Sequence, residues 1–298
     1  MFPIIPANSA TAASGNDEGI FGYGYGHGPT YYSLTNLVSN AGVVATDVTG
    51  VGTGRFELAA CEYGGDKGIF GFGKTASVVG MTNLVSNAGV VATDVTGVGT
   101  AREDLAACSY GSDKGIFGFG DTGSYTAITN LVSNAGVVAT DVTGVGTARS
   151  YLAATQYGDD KGIFGFGRTG LSMTNLVSNA GVVGTDVTGV GSGRYGLAAC
   201  GYGGDKGIFG YGYIAPSYVS TTNLVSNAGV VSSDVTGVGT TRGFQGACEY
   251  GGDKGIFGYG NYGEFIAVTN LVSNAGVVTT DVTGVGTARH GPAACSFN

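Results

Sequence analysis

The stretch TNLVSNAGVVATDVTGVGTAR, residues 82–102, decides the fold, because close copies of it occur six times. Its opening word, TNLVSNAGVV, begins at Thr35, Thr82, Thr129, Thr174, Thr222 and Thr269, in steps of 47, 47, 45, 48 and 47 residues. A second word, DKGIFG followed by Phe or Tyr and then Gly, falls in the same register at Asp66, Asp113, Asp160, Asp205 and Asp253. Its first copy is altered to DEGIFGYG at Asp17. The third word, DVTGVG, leads in every unit to an arginine: Arg55, Arg102, Arg149, Arg194, Arg242 and Arg289. A period of this length marks a solenoid, a propeller or an array, and it outranks every other signal in the chain.

Within one unit, turn chemistry separates four short runs. After Arg102 come EDLAACSY, the turn GSDKG, and GIFGFG, where period-two alternation places Phe117 and Phe119 on one face. A variable stretch follows, then ITNLVSN, a turn at Asn134-Ala135-Gly136, and VVATDVTG. Four strands in a unit of this size is the content of a propeller blade. Helical repeats need 3.6-residue periodicity and little internal glycine, and these units have neither property. The 59 glycines lack the Gly-X-Y period of collagen, and the 43% hydrophobic content excludes a disordered linker. The chain reads as all-β.

The order of the runs (RxxLAA, IFGFG, TNLVSN, VVATDVTG) resembles the Kelch repeat: an arginine, a small apolar strand, an aromatic strand ending in glycine, a third strand and a return strand. The units depart from that pattern in lacking a double glycine after the second strand and in lacking tryptophan altogether. The resemblance implies a six-bladed β-propeller with four antiparallel strands per blade, and says little about activity. The chain enters its first unit at the second strand and ends in RHGPAACSFN, a first strand with no successor. Three strands from residues 16–54 and one from the C-terminus are therefore expected to complete one blade in a 3+1 closure, which leaves no exposed sheet edge. Residues 16–298 form the repeat domain in this reading. Residues 1–15 form an N-terminal extension suited to docking.

The copies differ in two places. One follows GFG and the other follows the repeat arginine, where the units read FE, ED, SY, YG, GFQ and HG. Alternating strand direction puts both on one face of the disc, while YGGDKG and SNAG build a nearly invariant opposite face. Candidate ligand-binding residues on the variable face are Tyr25, His27, Tyr31, Tyr32, Lys74, Tyr125, Arg168, Tyr213, Tyr218, Tyr262, Phe265 and His290. Aromatic and arginine side chains suit such a role, because they offer large contact area at low entropy cost. Unconstrained loop drift would also produce this variation.

Other features read as structural. Cys61, Cys108, Cys200, Cys248 and Cys295 share one repeat position with Thr155, a pattern of small core residues rather than disulfides. The Asp-Lys pairs sit at a tight turn, and Asp94 with its equivalents either organises a turn or pairs with the repeat arginine. No calcium-loop motif appears. The two histidines, His27 and His290, lie in variable loops of the closing unit and could approach one another. Catalysis calls for a unique, asymmetric cluster, whereas six near-copies suggest symmetry. The chain thus reads as a non-enzyme without a cofactor. A net charge of −8 without basic stripes argues against nucleic acid, and no segment has the length of an apolar membrane span.

The wording DKGIFGYG…TNLVSNAGVVATDVTGVGTAR is similar to that of repeat proteins of bacteriophage tails and virions. That resemblance implies a virion surface component. Its variable face would meet a host-surface glycan or protein. Its N-terminal arm or invariant face would meet other tail proteins, and association of several copies stays open. An intracellular Kelch-type scaffold and a secreted lectin-like propeller with repeated sugar pockets are the alternatives.

Overall fold

The computed structural model describes residues 17–28 and 30–298; the expected arm at residues 1–15 lies outside them. Among the described residues there is no helix. Eighteen strands form six antiparallel three-stranded sheets. The first sheet joins β1 (Glu18–Gly26) and β2 (Thr30–Val38) to the last strand of the chain. The second holds β3 (Ala59–Tyr63), β4 (Lys67–Gly71) and β5 (Thr82–Val85), and the third β6 (Ala106–Tyr110), β7 (Lys114–Gly118) and β8 (Thr129–Val132). The fourth holds β9 (Ala153–Tyr157), β10 (Lys161–Gly167) and β11 (Leu171–Val177), and the fifth β12 (Ala198–Tyr202), β13 (Lys206–Ile214) and β14 (Ser217–Val225). β15 (Gly246–Tyr250), β16 (Lys254–Gly258) and β17 (Thr269–Val272) form the sixth, and β18 (Ala293–Phe297) returns to the first. There β18 pairs antiparallel with β1, with Ile20 opposite Cys295. The first strands touch in the order β3, β6, β9, β12, β15, β18 and back to β3. The arrangement is propeller-like.

The fourth expected strand is not a strand. In the second unit, VVATDV meets β5 only through two isolated bridges, Val85 with Val91 and Thr82 with Val95. Asn83 is the reason. Its buried side chain occupies the gap between the bridges and donates from Nδ2 to Ala92 O (3.0 Å) and to Asp94 Oδ1 (2.9 Å). A side-chain amide thus takes the place of ladder hydrogen bonds, in all six units.

The aromatic strand also departs from alternation. Phe117 packs toward β3, with Cys61 and Ile69, while Phe119 packs on the other side of its sheet with Leu152 and Phe164. They do not share a face. Phe119 has φ 63°, and the equivalent residues from Tyr23 to Tyr259 lie between 62° and 66°. This left-handed residue shifts the register, as seen between Gly22 and Gly24, and turns its ring over. The conformation costs about 1–2 kcal/mol per non-glycine residue, so something must hold it.

The repeat arginine does. Arg149 is about 1% exposed. It donates from Nε to Phe166 O (2.8 Å), from NH1 to Thr147 O (3.1 Å) and from NH2 to Asn175 Oδ1 (2.7 Å). Phe166 is the left-handed residue of the next sheet, and its carbonyl is fixed by that bond. The guanidinium lies 4.2 Å from the ring of Phe119, the left-handed residue of the preceding sheet. Arg55, Arg102, Arg149 and Arg194 join two sheets in this way, Arg242 and Arg289 keep the ring contact without the Nε bond, and burial pushes Arg149 down to about 10. Cations stack on aromatic faces with more effect where water is excluded.

Three further contacts fit sheet to sheet. The left-handed rings meet the next sheet's phenylalanine edge-on at 5.1–5.2 Å, as in Phe72 with Phe117 and, across the chain ends, Tyr259 with Phe21. All five cysteines are free and buried. A Cβ on Gly115 would lie 2.5 Å from Cys61 Sγ, so cysteine and the neighbouring unit's glycine are complementary in volume. The third contact resolves the role of the repeat aspartate. Asp186 accepts from the backbone N of Thr147 and from its Oγ1 (2.6 Å), reaching back to the preceding unit. Its distance to the Arg149 guanidinium is 3.9 Å, a weaker contact. Asp47 and Thr287 make the same bond between the chain ends.

A pH dependence follows. Burial alone would raise these aspartates, but bonds from Thr hydroxyl, Asn amide and backbone N–H outweigh it and hold Asp186 below its ordinary 3.8. A carboxylate with a depressed folded pKa stabilises fully above its unfolded value and loses that contribution as the pH falls through its folded value. Asp186→Asn should therefore cost about 1 kcal/mol from neutral pH down to about pH 4, and progressively less below that. Denaturant unfolding of both proteins from pH 8 to pH 2 checks this; a difference that grows in acid contradicts it.

Candidate functional site

The variable segments meet as expected from strand direction. The residue after the repeat arginine bridges the segment after GFG: Phe56 with Lys74, Glu103 with Asp121, Tyr195 with Tyr213, Gly243 with Asn261, and Tyr25 with His290 across the chain ends. One residue further on, the six segments form a ring of their own. Asp104 N donates to Glu57 O, Tyr151 to Asp104, Gly196 to Tyr151, Phe244 to Gly196, Gly291 to Phe244, and Glu57 to Gly291, all within 2.6–3.1 Å. Glu57, Asp104, Tyr151, Gly196, Phe244 and Gly291 all have positive φ, between 53° and 64°. Their peptides close a small circle, and beneath it the residues of the next position, four leucines with Gln245 and Pro292, help to line a cavity of about 70 Å³.

The side chains on this ring are not symmetric. Carboxylate oxygens of Glu57, Glu103 and Asp104 lie within 4.8 Å of one another. Asp104 is 6% exposed. Burial pushes its carboxyl up to about 10, and the neighbouring charges of Glu57 and Glu103 add to the effect. Burial raises Glu103 as well. Around the three carboxylates stand Lys74, whose Nζ is 2.9 Å from Glu103 Oε1, His290, whose Nε2 is 3.4 Å from Glu57 Oε1, and Tyr151, whose hydroxyl is 3.4 Å from the same oxygen. Lys74 is raised by its bond to Glu103. The Tyr151 phenol is raised by burial and by the charge of Asp104.

Aromatic rings surround the circle. His27 stacks on Phe265 (4.7 Å), Phe265 stands 6.0 Å from His290, and His290 lies 4.6 Å from Phe244. The histidines do not meet: Phe265 stands between them, and His290 faces Glu57. Tyr25, Tyr31 and Phe56 form one group with ring separations of 5.2–5.7 Å. Phe244 continues to Tyr151 and Tyr195, Tyr195 to Tyr213, and Tyr213 to Tyr218. Arg168 lies 5.4 Å from the Tyr151 ring centre. Tyr125 and Tyr262 stand apart at exposed tips, and Tyr32 covers Gly26.

Ten of the twelve sequence candidates therefore lie in or beside this belt. The ones missed are Phe56, Glu57, Glu103, Asp104, Tyr151, Tyr195 and Phe244. Their only sequence signal is that they occupy the two divergent positions after the repeat arginine. A second polar group lies farther inside the first strands, where burial pushes Glu249 up to about 8 and Gln156 Nε2 donates to it at 2.9 Å. Compared with known families, the chain matches no family model, and no curated protein matches it.

Proposed function

We propose that the chain is a closed six-bladed propeller with no catalytic role, whose variable face binds a glycan or protein on a host surface, as a component of a phage tail or virion. One observation supports the reading above all: the segments that differ among the six copies converge on a single face as a continuous belt of half-exposed rings. Rings such as Tyr25, Tyr31 and Phe265 offer flat apolar surface beside hydroxyl and imidazole groups, which suits sugar or peptide contact at low entropy cost. The nearly invariant opposite face, where each Asp-Lys pair is tied to the SNAG asparagine, as in Asp113 with Asn134 (3.1 Å), is left for contacts with other particle proteins. The cavity under the ring is far smaller than the ~300 Å³ of ordinary small-molecule sites, which favours surface recognition over an enclosed reaction.

The test is binding of the purified chain to host cells and to a glycan array. Tyr31→Ala combined with Phe265→Ala removes two stacking rings at ~1–3 kcal/mol each, so affinity should fall at least tenfold with the unfolding midpoint nearly unchanged. Retention of full binding by this double variant would overturn the reading.

A further inference from the structure

We propose that Glu57, Glu103 and Asp104 bind one hard divalent cation, calcium by ligand chemistry, at the ring of six peptides. Three observations carry this. The first is convergence: the three carboxylates, from two adjacent units, reach within 4.8 Å of one another. The second is an unmet demand. Asp104 is 6% exposed, and its Oδ1 is buried with no hydrogen-bond partner among the described residues; Glu103 Oε2 is buried and equally unpartnered. Buried carboxylate oxygens in native proteins are paired or bind metal, because leaving them alone costs the full desolvation penalty. The third is charge: ionised together, the three carboxylates exceed the Lys74 ammonium by two negative charges, which one divalent cation cancels.

The donors are all oxygen. Hard cations of the calcium class take six to eight oxygens and tolerate irregular geometry, whereas zinc and copper favour nitrogen and sulfur. Three carboxylates supply up to six oxygens, and the cavity of about 70 Å³ between Glu57 and Asp104 has room for water to complete the shell. Lys74 is partly exposed at the rim, so its ammonium can swing toward solvent as the ion enters. The cation would hold two adjacent units together at the centre of the variable face. No motif announces the site, because each unit contributes only part of it.

The experiment uses the whole chain after EDTA treatment and dialysis, with Tb³⁺ and Ca²⁺ as probes. The chain has no tryptophan, so sensitised Tb³⁺ emission must come from tyrosine, and Tyr151 stands 3.4 Å from Glu57 Oε1. Saturable emission at one ion per chain, displaced by Ca²⁺, is expected. At a hundredfold excess over the dissociation constant, Ca²⁺ should raise the unfolding midpoint by roughly 5 °C. Asp104→Asn should weaken binding at least tenfold and cut that rise to about half or less at the same Ca²⁺ concentration. If this variant loses its native circular dichroism, Glu103→Gln at the rim takes its place with the same expected readout. Equal midpoints in Ca²⁺ and EDTA, non-saturating emission, or wild-type affinity in the folded variant would each overturn the proposal. None of these readouts depends on what the variable face binds.

Discussion

Arg149→Met is expected to destabilise the protein by about 3–5 kcal/mol, the range found when a buried charged group's network is broken from one side. Methionine fills similar volume and keeps the apolar stem, so the loss is not a simple cavity effect. Three bonds disappear together, to Phe166 O, Thr147 O and Asn175 Oδ1. The carbonyl of a left-handed residue and a buried amide oxygen are then left without a donor, and the ring of Phe119 loses its cation. Arg149→Lys should recover little, because an ammonium cannot serve three acceptors in the guanidinium's fixed planar arrangement. Denaturant unfolding of the wild type and both variants checks this. A loss below 1 kcal/mol in the methionine variant would show that the strained aromatic position is held by something else.

Deleting residues 293–298 should cost more still, over about 5 kcal/mol, and leave a chain that aggregates. Phe297 is fully buried and Cys295 nearly so; losing one buried phenylalanine alone typically costs 3–5 kcal/mol. The deletion also exposes the edge of β1, from Glu18 to Gly22, to any other strand. A synthetic peptide of residues 286–298 added in trans should restore solubility by supplying β18 to that edge. Native circular dichroism and an unchanged midpoint in the truncated chain would mean that the first sheet does not need its third strand.

Much of this architecture was legible in the sequence, because the repeat is a long-range signal written locally. The six units, the pairing of the last strand with β1 and the meeting of the two variable segments all follow from unit order and strand direction. The return run was misread because VVATDVTG looks like a strand; only the buried position of Asn83 reveals that a side chain interrupts its ladder. Phe119 was misassigned for a related reason. Alternation assumes extended backbone, and nothing in GFG states that the aromatic residue, and not only the glycine after it, takes a positive φ. The arginines were legible as structural, but not as wedges between sheets. The carboxylate cluster was illegible for a deeper reason. Glu57 and Glu103 are 46 positions apart and meet only because adjacent units fan about a common centre.

The circle of six peptides is built from main-chain atoms alone. Glutamate, aspartate, tyrosine, phenylalanine and two glycines occupy it with nearly the same geometry. Its hydrogen bonds do not depend on what each member carries, but a side chain at Gly196 or Gly291 would have to displace a neighbour, since a Cβ there would lie 2.9 Å from the Phe244 ring or 3.1 Å from Glu57 N. Because the flanking words are nearly identical, recombination between two units would exchange their ring residues and preserve every link of the circle. A gene of this kind can thus exchange the chemistry at its centre by cassette, with the main-chain circle as the common frame.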